Sequence, residues 1–117
     1  MAAAVLRILV ATEPLMYREV IALHISQGHP RSEVVLASKQ TLRAEAECTT
    51  PHLIVANEVP PEFKERGFWV EMPTGDVPVA TTNADGYSGT IHDFSLQDLL
   101  AVVERAEEEL AQWGKGR

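Results

Sequence analysis

Four short apolar runs, spaced along the first two thirds of the chain, restrict the fold more than any other feature. They are residues 5–11 (VLRILVA), 33–37 (EVVLA), 51–56 (PHLIVA) and 68–72 (FWVEM), and they are rich in branched and aromatic side chains. Runs with this little polar alternation are buried on both faces, as strands of a parallel sheet are. Parallel neighbours need crossover connections, and the intervening stretches read as helices. Leu15 to Gln27 follows Thr12-Glu13-Pro14, where Pro14 suits a first helical position and an oxygen side chain ahead of it can cap. Met16, Val20, Leu23 and Gln27 recur at helical spacing and predict the mostly apolar stripe of that helix, with Gly28 as its left-handed end.

Ser38 can cap a second helix from Lys39 to about Cys48, with a thin apolar face of Leu42, Ala44 and Ala46. Pro60-Pro61 open a single turn over Glu62 to Arg66, stopped at Gly67. The clearest helix is the last. Ser95 can cap it, Asp98 stands near the capping-box position, and Leu96, Leu99, Val103, Ala106 and Leu110 form its apolar stripe as far as Gly114. The run Glu107-Glu108-Glu109 reads as solvated face. Trp69 alternates into the core, and Trp113 is expected to pack back with Leu110.

A length of 117 residues fits one domain, 1–117, with an ordinary core. A net charge of −7 repels phosphate backbones and argues against autonomous nucleic-acid binding. No stretch approaches the apolar length of a membrane span, and the start lacks a secretory pattern. Cys48 is the only cysteine, so no internal disulfide can form, which fits a cytoplasmic setting. Its expected role is a small apolar filler near a helix end. His24, His29, His52 and His92 show no metal-ligand spacing, and neither a P-loop nor a Gly-x-Gly-x-x-Gly motif occurs. No metal or cofactor is expected.

Three segments carry a resemblance, in order. Ile8-Leu9-Val10-Ala11-Thr12-Glu13-Pro14 is a strand leading into a polar loop and a helix. Pro51-His52-Leu53-Ile54-Val55-Ala56-Asn57 is followed by Pro61 four residues on. Ala84-Asp85-Gly86-Tyr87 is followed by Phe94-Ser95 and the last helix. Together they resemble the receiver domain of bacterial response regulators, of the chemotaxis-regulator type. The resemblance implies a flavodoxin-like three-layer α/β sandwich with a mostly parallel five-stranded sheet. Its site would lie at the carboxyl ends of the strands.

The family's chemistry needs an aspartate nucleophile, an acidic pair holding Mg²⁺, and a Thr or Ser and a Lys for the phosphoryl oxygens. Asn57 stands at the nucleophile position, and an amide cannot form an acyl phosphate. The acidic pair falls on Thr12 and Glu13, or on Ala11 and Thr12 if the alignment is anchored on Pro14. No lysine occurs between Lys64 and Lys115, and His92 stands where the family has Lys. Thr74 or Thr81 takes the Thr/Ser position. The degenerate positions are therefore Thr12, Glu13, Asn57, Thr74 and His92. Taken alone, Asn57 reads as a turn or loop-capping residue and Thr12-Glu13 as a helix cap.

Between Asn57 and Ser95 there is little room for the helix that receivers carry between their fourth and fifth strands, so that helix is expected to be missing or reduced to loop. Residues 77–81 then form a fifth strand, or 77–82 and 88–92 form an antiparallel hairpin turning at Asp85-Gly86. The functional expectation is a pseudo-receiver: not an enzyme, without cofactors, acting in signalling through a protein partner or through a second copy of itself as a homodimer. The alternative is a small-molecule or nucleotide-binding domain using the crevice at the strand ends.

Overall fold

The structure, a computed structural model, describes residues 5–13, 15–64, 68–72, 79–84, 87–92 and 96–115. Its elements are β1 (Arg7–Ala11), α1 (Leu15–Gly28), β2 (Glu33–Leu36), α2 (Leu42–Thr49), β3 (Leu53–Ala56), α3 (Pro61–Lys64), β4 (Phe68–Glu71), β5 (Val79–Ala84), β6 (Tyr87–His92) and α4 (Leu96–Lys115). The sheet order is β2-β1-β3-β4-β5-β6. β2, β1, β3 and β4 are parallel, β5 is antiparallel to β4, and β6 is antiparallel to β5.

The four apolar runs are thus the four parallel strands. β1 and β3 are buried almost throughout, as strands flanked on both sides must be. Alternate residues supply two cores. Ile8, Val10, Leu53, Val55 and Val70 meet Ile21 and Ile25 of α1 and Leu99, Val103 and Ala106 of α4. Leu9, Ala11, Ile54, Ala56 and Trp69 meet Leu42 and Ala46 of α2 and Phe63 of α3. The layers are therefore helix, sheet, helix, with Trp69 in the core as expected.

Among the described residues the sheet has six strands rather than five. The extra one comes from the hairpin: β5 and β6 pair from Val79–His92 to Ala84–Tyr87, which leaves two residues between them. Asp85-Gly86, the expected turn, lies outside the described residues. β5 lies directly beside β4 and runs against it, so this connection needs no crossover helix.

Several local expectations are corrected. α1 buries Arg18, Ile21 and Ile25, while Met16, Val20 and Leu23 are exposed. Both sets fit helical spacing, but the branched Ile21 and Ile25 face the sheet, although a charged residue heads their stripe. α2 begins at Leu42, not Lys39. Ser38 closes a turn instead, its N–H donating to Thr41 Oγ1 at 2.9 Å while the Thr41 N–H donates to Ser38 Oγ at 3.2 Å. Ala44 and Cys48 are exposed, so Cys48 is not a core filler. α3 starts at Pro61, and α4 continues past Gly114 to Lys115. Glu107 is not merely solvated: its carboxylate meets His29 Nδ1 at 2.6 Å and accepts from Ser32 Oγ at 3.4 Å, pinning α4 to the turn before β2. Among the described residues no helix is long and apolar enough to cross a membrane.

Candidate functional site

The carboxyl edge of the parallel strands brings together the β1–α1 loop, the residue after β3 and the end of β4. Thr12, Asn57 and Met72 each follow directly on their strand, one residue past the paired row Ala11, Ala56 and Glu71. Thr12, Glu13 and Asn57 thus lie at the same edge of the sheet.

Both heteroatoms of the Asn57 side chain are engaged. Its Oδ1 accepts the backbone N–H of Glu13 at 2.6 Å, and its Nδ2 donates to the carbonyl of Met72 at 2.9 Å. Those partners fix the amide orientation, because an N–H can face only the oxygen and a carbonyl only the nitrogen. The side chain bridges β1 to β4 across the end of β3, where Met72 N–H also donates to Ala56 O at 2.8 Å. Asn57 is therefore a loop-capping residue, as its residue type suggests.

Glu13 is held as well. Its Oε2 lies 2.6 Å from Arg18 Nη2, and Arg18 Nε donates to Thr12 O at 3.1 Å. Arg18 is only 9% exposed. A buried guanidinium demands a carboxylate, and this pair takes the acid that a cation would otherwise use. Sequence reasoning missed Arg18. The available signal was a cation in the first turn of a helix, the unfavourable end of the helix dipole, which needs a nearby acid.

Thr12 departs from its expected part in a helix cap. It is fully buried, and its Oγ1 has no hydrogen-bond partner among the described residues. Glu71, also missed, closes the edge from the other side. Its carboxylate accepts the Val59 N–H at 2.8 Å and pairs with Lys64 Nζ at 3.1 Å, while Lys64 lies 5.0 Å above the Trp69 ring.

Of the remaining expected positions, His92 does not join this group. Thr74 lies outside the described residues. His92 ends β6, which runs in the direction of β4 and so finishes at the same edge of the sheet. Three strand spacings separate β6 from β3, about 14 Å. Thr81 pairs with Glu71 inside the sheet. The arrangement is a closed clasp of Glu13, Arg18, Asn57 and Met72. Among the described residues no group of three or more His, Cys, Asp or Glu is placed to hold a metal ion.

The chain matches no family model and no curated protein. A solved structure with a similar fold is that of HypX from Aquifex aeolicus, in a variant with four substitutions. It superposes with a TM-score of 0.54 at 16% identity, over 93% of this chain and 28% of that one. At that identity the likeness shows a shared α/β fold and nothing of function. The chain spans little more than a quarter of that protein's length.

Proposed function

We propose that the chain is a receiver-like module that works without phosphorylation, by binding a protein partner. One observation carries this reading: Asn57 spends both heteroatoms of its side chain on backbone groups. It stands where receivers place their phosphoacceptor, yet here that position ties loops together. The neutralised Glu13 and the strand order β2-β1-β3-β4 support the same reading. The antiparallel hairpin occupies the place of the fourth helix and fifth strand through which receivers signal, so contact with a partner has to use another surface.

The test is incubation with Mg²⁺ and acetyl phosphate or beryllofluoride, followed by intact mass and amide NMR. No adduct and no shifts at Thr12, Asn57 and Met72 are expected. An adduct, or saturable shifts at those residues, would overturn the proposal.

A second reading, a small-molecule or nucleotide site at the same edge, is favoured by the buried, unpartnered Thr12 hydroxyl. A rise in melting temperature with added nucleotides is its test, because a ligand that binds only the folded state stabilises it.

A further inference from the structure

α1 presents two faces. Arg18, Ile21 and Ile25 are buried, while Leu15, Met16, Val20 and Leu23 stand at 55%, 74%, 40% and 56% exposure. Single apolar residues on a surface are ordinary, but four on one helix form a patch. Leu36, 42% exposed, extends it. Val34 packs into the core beneath α1, so strand alternation puts Leu36 on the same side of the sheet, at its open edge.

We infer that this face is the seat of a second copy of the chain, packed α1 against α1 about a two-fold axis near Val20. The inference deepens the reading of the chain as an interaction module and rests on it.

Three features select a second copy. The stripe is self-complementary. Met16 and Leu23 lie on either side of Val20, about 6 and 4.5 Å along the helix. An antiparallel mate therefore sets Met16 over the partner's Leu23, Leu23 over the partner's Met16, and Val20 over its own equivalent. An isologous contact requires a patch of this kind.

The charge pattern agrees. The chain carries −7, so two copies repel over most of their surface. α1 holds only Arg18 and Glu19 as charged residues in a helix of 14, and Arg18 is buried against Glu13. A basic partner would be drawn instead to the exposed Glu104 and Glu108 of α4.

The area is also adequate. The four side chains leave open on the order of 400 Å², the size of a functional patch on a monomer. Doubled by symmetry and completed by its polar rim, the contact reaches roughly the 1,200 Å² at which stable interfaces begin. Glu19 flanks the stripe and brings a like-charge pair near the axis.

The experiment is sedimentation velocity on the full chain across a concentration series. The wild type is expected to dimerise. Val20→Glu and Val20→Lys should each weaken the dimer at least 100-fold with unchanged circular dichroism, because the site is exposed in one copy. Mixing the two variants should restore a one-to-one dimer, as only opposite charges across a two-fold at this residue can do. Glu19→Gln should tighten it several-fold. A wild type that is monomeric throughout, a dimer untouched by Val20→Glu, or a mixture that stays monomeric overturns the inference. Its failure is separable from that of the module reading: a beryllofluoride adduct overturns the module without changing the dimer, and a monomer with an inert Asn57 overturns only the dimer.

Discussion

Replacing Asn57 by aspartate exchanges a donor for a second acceptor, and the clasp makes that change costly. The Glu13 N–H keeps its acceptor, since a carboxylate oxygen takes the place of Oδ1. The other oxygen then faces the Met72 carbonyl across the 2.9 Å that Nδ2 now spans as a donor. One hydrogen bond is lost, at about 1 kcal/mol, and a half-buried charge meets an acceptor, at roughly another 1–2 kcal/mol. Asn57→Asp should therefore lose about 2–3 kcal/mol at neutral pH, against the roughly 5–15 kcal/mol that keeps a typical domain folded. In urea unfolding this is a fall in midpoint of roughly 1–2 M at unchanged slope. The deficit should shrink in acid. A protonated carboxyl can donate to Met72 O, so the folded state holds its proton more tightly than the unfolded chain, whose aspartate titrates near about 3.9. Relative to wild type, the variant must then recover as pH falls from about 7 towards 4. A variant as stable as wild type at neutral pH, or a deficit independent of pH, would refute the clasp.

Three further outcomes follow from the geometry. Thr12→Val replaces the unpartnered buried hydroxyl by a methyl of similar size and should raise stability by about 1 kcal/mol, measured in urea; a loss would mean the hydroxyl has a use. His52 Nδ1 accepts the Arg7 N–H at 2.9 Å, and burial, then the Arg7 charge, push its pKa below 6.5. The unfolded chain therefore takes up the proton first, so this contribution is full above about pH 6.5 and lost as pH falls through the lower folded value. His52→Asn, which keeps an acceptor and does not titrate, should flatten that part of the stability–pH profile. Thr50 ends α2 in the left-handed region at φ 44°, a poor place for a branched side chain, so Thr50→Gly should raise the melting temperature by a few degrees, about 1 kcal/mol, in calorimetry.

The parallel half of the fold was legible because its signal is strong: VLRILVA and PHLIVA are short, apolar and rich in branched residues, which favours buried strands over helix. The faces of α1 were not legible. Two sets of residues satisfy the same helical period, and the buried set is headed by Arg18, whose partner Glu13 lies outside the helix, which no periodicity shows. Glu107 was read as solvent-facing for a similar reason, since its partners His29 and Ser32 lie about seventy-five residues away. At the site, the sequence singled out Thr12, Glu13 and Asn57 as polar residues at strand ends. They did not tell that the amide had become a bridge between two strand ends, because Met72 takes part only through its carbonyl, which every residue has.

The hairpin has a consequence for how the molecule opens. β5 and β6 are paired over six residues, but β5 is joined to β4 over only three, from Trp69–Asn83 to Glu71–Thr81. The seam is thus half as long as the unit it attaches. Cooperative openings follow such boundaries, and a locally closed hairpin reforms in microseconds once it is free. Amide exchange should therefore find a sub-global opening in which the hairpin detaches as one body while β1 and β3 stay protected. In that state β4 becomes a bare edge, able to take a strand from another chain, so this short seam sets how often the folded protein exposes an aggregation-prone border.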